Sequence, residues 1–541
     1  MNRLTRETTQ IADVVVVGFG GAGGCAAIEA HDSGSSVILI ERQPQDRHFP
    51  NTRMSGGGFH SPSPGGDPEA LKSYAKAMFS GENVPGQIEG ANPDFSDELA
   101  EVWARLSPEN EQFMCGLDPD YKTVSISGAA FPEFPGAADA GYAVVKSSYT
   151  GTRDEAKQFA MTRDADKSQK ESGEAFYACL LTGIQSRGIP ILFDTRARRL
   201  LTDAEDRVVG ALCDGPAGPV RVLARRAVVL TLGGYEYNRR MRKAFLDGPG
   251  VEGWAFYGTT ENTGDGIEMA MRLGAGLAKI GKIAGRVICA VPVRAHGLKI
   301  GLNTNSVGRP NELVVDNHGR RYASERRITK DPSRYIFYKE ALRFDTLTLD
   351  YPRIPSWMVF DQTMFESGAV VRVNSAAYNG IDWGADNGNA LRNGWILKGD
   401  TVEDLSAAIA AHPENRGRMQ AGELAATVAR YNGFCADGQD QDFDREPASL
   451  GEVARPPFYA IPLYPGGPNT KGGLRSNARR EVLDWEDQPI PRLYTAGEIS
   501  SAFLFVYQGG GNLAECITFG RVAGRNAAAE PAIPLAAEAA T

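Results

Sequence analysis

A cluster of glycines near the start of the chain has the residue types and spacing that bind a dinucleotide. It follows the pattern G-x-G-x-x-G and predicts phosphate contacts at Gly18, Gly20, Gly21, Ala22 and Gly23. The three pattern glycines permit a tight turn, let the backbone approach a pyrophosphate and allow a helix to pack closely on a strand. Glu41 follows about 20 residues later, where a carboxylate accepts hydrogen bonds from both ribose hydroxyls and disfavours a 2′-phosphate. The expected ligand is therefore FAD or NAD.

Three secondary-structure elements must hold these residues in place. The apolar, β-branched run Ile11–Val17 predicts a parallel strand that is buried on both faces. The run Val37–Ile40 predicts a second strand, which Glu41 closes. A helix over Ala22–Ser33 would point its N-terminal N–H groups and the positive end of its dipole at the phosphates. Because strand, glycine turn, helix, strand and acid occur in this order, we predict a Rossmann-like α/β fold.

Length, composition and charge exclude several classes of protein. The 541 residues suffice for two or more domains, and 42% hydrophobic and 23% charged residues are typical of a globular protein. The net charge of −9 argues against nucleic acid and anionic membranes as partners. No apolar run approaches the roughly 18 residues that a membrane-spanning helix needs, and the first residues lack the apolar segment of a signal peptide. We therefore expect a cytoplasmic protein without a membrane span.

The cysteines and histidines do not predict a metal site. The seven cysteines are odd in number and scattered, and the chain contains neither a C-x-x-C pair nor an H-E-x-x-H motif. We therefore expect no metal, no disulfide framework and no covalently attached haem.

A second glycine-rich stretch, NTRMSGGGFH, covers residues 51–60. Consecutive glycines can lie against a flat ligand because no Cβ obstructs the approach. A flexible surface loop has the same composition and is the alternative interpretation. The candidate ligand contacts in and before this stretch are Arg42, Asn51, Thr52, Ser55, Gly56, Gly57 and Gly58.

The opening unit together with NTRMSGGG resembles the flavoprotein family of fumarate reductases, succinate dehydrogenase flavoproteins and 3-ketosteroid dehydrogenases. The resemblance implies FAD as the cofactor, with this loop running under the isoalloxazine ring. Succinate dehydrogenases carry a histidine bonded covalently to FAD where this chain has Asn51, which implies non-covalent FAD here. Other segments that resemble the family imply further FAD contacts at Gly233, Asp265, Glu498, Gly511, Asn512 and Leu513.

From about Arg286 to Ala454 the composition shifts towards Arg, Tyr and Trp, which we interpret as an inserted α+β substrate domain. Residues 1–285 and 455–541 are then expected to form the FAD-binding domain. The insert is expected to cap the flavin, with the active site where the two domains meet. Within the insert, LVVDNHGRRYASE resembles a family segment whose acid corresponds to Glu325. A structural ion pair with a neighbouring arginine is the alternative role of this residue.

The family resemblance implies hydride transfer between flavin N5 and a carbon β to a carbonyl or carboxyl, while a protein group handles the α-carbon proton. Four residues beyond the matched Glu, ketosteroid dehydrogenases carry a Tyr and fumarate reductases an Arg, but this chain reads ERRITKD from Glu325 to Asp331. With one inserted residue, Lys330 takes the place of the arginine. We expect Lys330, or one of Arg326, Arg327 and Tyr335, to relay the proton. Solvated surface charges are the alternative.

Two branches of the family compete for the substrate. The spacing Tyr507-Gln-Gly-Gly-Gly511 resembles the Tyr-x-x-x-Gly with which ketosteroid dehydrogenases hold the keto oxygen, and TKGGL at residues 470–474 also resembles that branch. Glu498 and the GNLA segment from Gly511 resemble the fumarate reductases instead. The reductases grip a dicarboxylate with a histidine and an arginine, and Arg294 and His296 match that pattern poorly.

We therefore expect a carbonyl substrate, either a 3-ketosteroid or another cyclic enone, with an unsaturated carboxylate as the alternative. The electron donor or acceptor is unknown. An NAD-binding protein, or a flavin-binding electron carrier or redox sensor, is the alternative of a different class. The aromatic residues Phe131, Phe134, Tyr121 and Tyr142 are expected to pack in the core or a lid, although they have the composition of a pocket wall.

Overall fold

The computed structural model describes residues 7–81, 95–126, 131–149, 172–326, 332–503 and 507–535. The chain divides into two compact units, each built from separate segments. Unit 1 consists of Met1–Tyr235, Glu261–Lys282 and Thr470–Thr541. Unit 2 consists of Glu236–Thr260 and Ile283–Asn469.

The strands of the described ranges are β1 (Thr8–Val17), β2 (Val37–Ile40), β3 (Gly58–His60), β4 (Tyr121–Ser125), β5 (Val144–Tyr149), β6 (Ile191–Leu192), β7 (Arg196–Thr202), β8 (Val208–Gly215), β9 (Gly218–Leu230), β10 (Ala255–Phe256), β11 (Leu277–Ile283), β12 (Arg286–Ala295), β13 (Leu298–Leu302), β14 (Glu312–Val315), β15 (Ser356–Phe360), β16 (Leu397–Gly399), β17 (Phe458–Gly467), β18 (Thr470–Leu474), β19 (Glu481–Leu483) and β20 (Pro489–Thr495).

The α-helices of the same ranges are α1 (Gly21–Asp32), α2 (Asn51–Met54), α3 (Pro68–Ser80), α4 (Ser96–Leu106), α5 (Asn110–Leu117), α6 (Ser172–Ser186), α7 (Arg239–Phe245), α8 (Asp265–Met271), α9 (Pro332–Ala341), α10 (Gln362–Glu366), α11 (Val373–Tyr378), α12 (Gly388–Arg392), α13 (Val402–Ala411), α14 (Ala421–Asp437) and α15 (Gly511–Ala529).

Unit 1 is built on a mixed sheet with the strand order β19-β20-β9-β1-β2-β6, to which β8 and β7 are added through β9. Strands β20, β9, β1, β2 and β6 run parallel, while β19, β8 and β7 pair antiparallel. The valines at 14 to 17 in β1 are at most 2% exposed, as expected for a strand covered on both faces. The predicted strand, helix and second strand at the start of the chain are confirmed.

Unit 2 is built on a largely antiparallel sheet with the order β13-β12-β17-β15-β14, and β10 and β16 also pair with β17. The sheet centres on β17, whose ten residues are all buried. One face of this sheet packs in a core that includes Val314, Met358 and Ile461. A second core, which includes Trp357 and Val359, packs with residues of α13 and α14.

The bounds of unit 2 differ from the expected insert of residues 286–454. Strand β17 begins at Phe458 and pairs with β12, β15 and β16, so the structure keeps this segment in unit 2. The segment Glu236–Thr260 also belongs to unit 2, because β10 within it pairs with β17. The combination of an α/β unit with parallel strands and an α+β unit confirms the predicted fold class. The assignment of the second unit as a substrate domain stays a prediction.

Within the described residues, we find no helix that is long and apolar enough to cross a membrane.

Candidate FAD and substrate site

The glycine turn between β1 and α1 has the geometry that the pattern predicts. Gly18 has φ +104°, a conformation that residues with a Cβ rarely adopt. A Cβ added to Gly23 would lie 1.9 Å from the Gly18 carbonyl oxygen, so helix and turn pack too closely for any side chain. A Cβ on Gly20 would meet only the Thr52 hydroxyl, at 3.7 Å. Gly18 and Gly23 are therefore needed for the turn and its close packing on α1, and Gly20 leaves space beside the start of this helix.

The N-terminus of α1 fits the pyrophosphate of a dinucleotide. Gly20 is the N-cap of this helix and has no side chain to cap its first turn. The Gly21 N–H donates to the Thr52 hydroxyl at 2.7 Å, which fixes the second glycine-rich stretch next to the helix start. The remaining first-turn N–H groups of a helix have no intrahelical acceptor and are suited to a phosphate.

Glu41 lies at the end of β2, where its carboxylate is held by backbone donors. Its two oxygens accept from the Phe19 N–H at 2.9 Å and the Gln43 N–H at 2.8 Å, and His48 Nε2 lies 3.4 Å away. Burial raises the pKa of the carboxyl, but the His48 ring and the backbone donors outweigh burial and lower it overall. Glu41 is therefore an ionised, fixed acceptor, and its contact with a ribose stays a prediction.

Arg42 and Asp265 lie in one ion-pair network. Arg42 Nη2 lies 2.8 Å from a Glu261 carboxylate oxygen, and Arg42 Nη1 lies 3.6 Å from Asp265 Oδ2. Asp265, in the first turn of α8, also accepts from Arg196 Nε at 2.7 Å. Burial raises the pKa of Asp265, while Arg196, Thr263 and Arg42 lower it, and the net pKa is below its ordinary value. This network stabilises the segment that the family resemblance assigns to FAD.

Asn51, Gly233 and Glu498 come together although they are far apart in sequence. The Asn51 side-chain amide donates to Glu498 Oε2 at 3.1 Å, and the Asn262 amide lies 3.4 Å from the same oxygen. Gly233 has φ +75°, and a Cβ there would lie 2.8 Å from the Asn262 oxygen. The fold thus gathers three of the predicted cofactor residues in one place.

The stretch from Thr52 to Gly58 packs tightly for most of its length. Ser55 Oγ donates to the Thr52 carbonyl at 2.7 Å and accepts from the Gly57 N–H at 3.1 Å. A Cβ at Gly57 would lie 2.1 Å from the backbone of Ser172, at the start of α6. A Cβ at Gly56, by contrast, would have no atom within 4 Å. Gly56 is therefore the position of this loop that has open space beside it.

Tyr507 lies half-buried just before the Gly509–Gly510 turn that opens α15. The Gly511 N–H donates to the carbonyl of Gln508 at 3.0 Å. The family pattern expects a Tyr and a Gly to hold a keto oxygen together, and the Gly511 N–H would have to leave Gln508 to do so. Asn512 and Leu513 occupy the first turn of α15, where helix N–H groups suit negative charge.

An aromatic cluster that the sequence did not predict lies next to this turn. The His60 Nε2 contacts the Tyr142 hydroxyl and lies 3.1 Å from the Gly509 carbonyl. The Tyr74 hydroxyl donates to Gln508 at 2.9 Å, and the Tyr74 and Tyr142 ring centroids are 4.9 Å apart. Phe134 stacks on Phe131 and also contacts Tyr74. Tyr74 belongs to no spacing motif, and His60 ends the NTRMSGGGFH stretch without a predicted role, so only the fold brings these two residues together.

Unit 2 places Glu325 in a buried ion-pair network. Its carboxylate pairs with Arg321 at 2.7 Å and lies 3.3 Å from Arg445. Burial raises the pKa of Glu325, but the two guanidinium groups outweigh burial and lower it. Glu325 also lines a cavity of about 10 Å³ together with Arg286, which is about the space that one water molecule needs.

The structure describes only some of the expected proton-relay residues. Arg326 is exposed and pairs with Glu446 at 2.5 Å. Arg327 and Lys330 lie outside the described residues, as does the side chain of Tyr335. The assignment of these four residues to the proton relay therefore stays a prediction.

Comparison with known proteins identifies the family of the chain. The family model described as FAD binding domain matches residues 13–513. The chain is 27% identical to a 3-oxosteroid 1-dehydrogenase of Mycolicibacterium smegmatis, over 97% of this chain and 98% of that protein. It is 26% identical to a probable fumarate reductase of Shewanella frigidimarina, over 96% of this chain and 75% of that protein.

Two solved structures have a similar fold. A 3-ketosteroid Δ1-dehydrogenase from Sterolibacterium denitrificans aligns with a TM-score of 0.76 and 23% identity, covering 96% of this chain and 99% of that chain. A flavocytochrome c3 fumarate reductase in an open conformation aligns with a TM-score of 0.65 and 23% identity, covering 96% and 78%. The family match extends over most of the chain, and the glycine turn and the start of α1 fit its cofactor, FAD. The chain therefore belongs to the FAD-binding domain family.

Proposed function

We propose that the chain forms or reduces a C=C bond next to a ketone, with a 3-ketosteroid or another cyclic enone as the substrate. The relatives carry names of two kinds, 3-oxosteroid 1-dehydrogenase and fumarate reductase. Both names describe chemistry at a CH–CH bond, so the chain is a flavin-dependent dehydrogenase or reductase of that type. The choice of a ketone over a carboxylate rests on this chain's own residues.

The proposal of a ketone substrate rests on Tyr507. Its phenol is half-buried, and the two residues that follow it contact the aromatic cluster: Gln508 accepts from the Tyr74 hydroxyl, and the Gly509 carbonyl lies 3.1 Å from His60 Nε2. A phenol hydroxyl donates one hydrogen bond to a carbonyl oxygen and stabilises the negative charge that develops there in an enolate-like transition state.

Arg294 and His296, the candidates for gripping a short dicarboxylate, lie in a hairpin of unit 2. Arg294 and His296 are exposed at the turn between β12 and β13. Arg294 pairs there with Glu252 at 3.1 Å and donates to the carbonyl of Gly297. Because these contacts engage the Arg294 guanidinium, they favour a ketone substrate over a diacid in our proposal.

Bound FAD supplies the hydride acceptor or donor for this reaction. In our proposal, the Tyr507 hydroxyl holds the carbonyl oxygen, and Lys330 or one of Arg326, Arg327 and Tyr335 exchanges the α-carbon proton. Glu41, Asn51, Asp265 and Glu498 keep the cofactor-binding segments in place. A separate electron partner, such as a quinone, another flavoprotein or oxygen, completes the cycle.

The experiment that tests this function is anaerobic absorbance spectroscopy of the purified protein. 3-Ketosteroids, cyclic enones and short carboxylates are added singly to the oxidised and to the pre-reduced protein. Bleaching of the oxidised flavin band by a saturated ketone, or re-oxidation of the reduced protein by an enone, would support the proposal. Re-oxidation by fumarate with no response to any ketone would contradict it and favour an unsaturated carboxylate.

The variant Tyr507→Phe tests the keto anchor. We expect kcat/KM for the responding ketone to fall about 100-fold to 1000-fold, the usual cost of removing one oxyanion donor. The bound FAD should be unchanged, and Tyr351→Phe, which removes a hydroxyl from unit 2, serves as the control. Unchanged kinetics in Tyr507→Phe would remove this residue from the site.

A further inference from the structure

A buried ammonium group lies next to the ring of Tyr507. Lys471, in β18, is 1% exposed. Its Nζ donates to Ser501 Oγ at 3.0 Å and to Glu515 Oε2 at 3.2 Å. The same Nζ lies 4.6 Å from the centroid of the Phe503 ring and 5.3 Å from that of Tyr507. The lysine therefore has its counter-ion and two aromatic rings as close neighbours.

Glu515, in α15, forms an ion pair with Lys471. The Glu515 carboxylate is also hydrogen-bonded to Ser501 and Ala502, which precede Tyr507 in the chain. Its Oε2 accepts from Ser501 Oγ at 3.0 Å, and its Oε1 accepts from the Ala502 N–H. Lys279 donates to the carbonyl of the same residue, Ala502, at 2.7 Å. Because both the N–H and the carbonyl of Ala502 are hydrogen-bonded, the Lys471 ammonium and the Glu515 carboxylate have little freedom to reorient.

This arrangement puts a buried positive charge 5.3 Å from the ring centroid of the half-buried Tyr507. A cation near an aromatic face interacts favourably with the ring, and burial strengthens charge interactions because the local dielectric constant is low. A nearby cation also favours the ionised form of an acid. The Tyr507 hydroxyl should therefore be a stronger hydrogen-bond donor than an isolated tyrosine.

Among the described titratable groups that contact Lys471, Gly509 or Ala502, Glu515 is the one that opposes this effect. His60 lies in β3, and its pKa is lowered to about 3, mainly by burial and also by the charge of Lys471. The His60 ring is therefore neutral. Lys279, from β11, adds a second positive charge on the Ala502 side. Glu515 is the negative group among these, and it pairs directly with Lys471.

We propose that Lys471 is a positioning residue that acts through Tyr507, and that its charge increases the acidity of the phenol that holds the carbonyl oxygen. The proposal rests on the proposed function of Tyr507 as the keto anchor. It predicts that removing the positive charge and removing its counter-ion change the acidity of Tyr507 in opposite directions. If the pair has only a structural role, both changes should shift the ionisation constant of Tyr507 in the same direction.

The test measures the ionisation of Tyr507 in the FAD-loaded protein without substrate. Tyrosine labelled with ¹³C at Cζ gives one NMR signal per ring, and the signal that is missing from Tyr507→Phe identifies this residue. In Lys471→Met the ionisation constant of Tyr507 should fall about tenfold, or one pKa unit, because the phenolate loses a nearby positive charge that stabilises it more than the neutral phenol. In Glu515→Gln it should rise, because the counter-charge is removed while an oxygen remains for the Ala502 N–H.

Two further variants keep the test decisive. Lys471→Arg retains the charge and should keep the ionisation constant within about threefold of the starting protein. If Lys471→Met does not fold, Lys471→Met/Glu515→Leu removes both charges without leaving one buried and unpaired, and the constant should again fall. Equal constants in all variants, or a fall in both single variants, would overturn the proposal.

The NMR result does not depend on turnover, so it separates this inference from the proposed function. If Tyr507→Phe turns over ketones normally while Lys471→Met still lowers the ionisation constant, the keto anchor is wrong and the electrostatic coupling stands. If Tyr507→Phe is inactive and the constants are all equal, the anchor stands and the role of Lys471 is wrong.

Discussion

Asp265 is a residue whose ionisation should stabilise one of the FAD-binding segments. It pairs with Arg196 at 2.7 Å and is largely buried, with a side chain that is 17% exposed. We expect Asp265→Asn to lower the free energy of unfolding at pH 7 by about 2 kcal/mol, the worth of a hydrogen bond to a charged group. Asp214→Asn, which breaks the exposed pair with Arg198, should cost much less. Urea denaturation measures both.

The same residue gives a pH dependence with a definite sign. Because the pKa of Asp265 is lower in the folded protein than its ordinary value of 3.8, its contribution is present above that value and is lost as the pH falls through the folded pKa. The difference between the starting protein and Asp265→Asn should therefore shrink below about pH 4. A difference that stays constant from pH 7 to pH 3 would contradict the ion pair.

Lys330 is the residue that we expect to handle the substrate proton. Lys330→Met should lower kcat by about 100-fold or more, the usual contribution of a general acid or base, while the protein keeps its FAD. Steady-state kinetics with a ketone that responds in the anaerobic experiment measure the effect. An active Lys330→Met enzyme would leave Arg326, Arg327 and Tyr335 as the candidates.

At the scale of elements, the packing of α1 on the glycine turn separates two roles of the glycines. A Cβ at Gly23 would collide with the Gly18 carbonyl at 1.9 Å, whereas a Cβ at Gly20 would have its nearest contact at 3.7 Å. We expect Gly23→Ala to lose several kcal/mol of stability or to fail to fold, because backbone must move. Gly20→Ala should fold and lose FAD affinity.

Thermal unfolding with and without added FAD measures this difference, since a ligand stabilises the folded state in proportion to its affinity. Gly56→Ala is a useful companion, because a Cβ there would have no atom within 4 Å. If Gly20→Ala bound FAD as tightly as the starting protein, the phosphate-binding role of the turn would be wrong.

At the scale of the whole molecule, the attachment of the cofactor can be measured directly. The residue at the position of the family's FAD-linked histidine is Asn51, whose side chain is hydrogen-bonded to Glu498. An amide offers no nucleophile for a covalent flavin bond, so acid precipitation should release all the flavin into the supernatant. Yellow colour or fluorescence that stays with the precipitated chain would contradict non-covalent binding.

The sequence alone determined the strand, glycine turn and helix with which the FAD-binding unit begins. The turn from Gly18 to Gly23 and the acid Glu41 are local features, since strand, turn and helix follow one another within about 25 residues. Their residue types depend on backbone conformation and close packing, and both leave a direct mark on the sequence. For the same reason β1, β2 and α1 were predicted at nearly their observed bounds, and FAD as the cofactor is confirmed.

Only the tertiary structure decided which distant side chains meet. Asn51 and Glu498 are 447 residues apart, and no periodicity relates them. The contacts of Lys471 with Glu515 and Tyr507, and of His60 with Gly509, likewise bring β18, β3 and α15 together. The long β17 joined unit 2 because seven strands satisfy their backbone hydrogen bonds in one sheet, and strand pairing depends on partners that composition does not reveal.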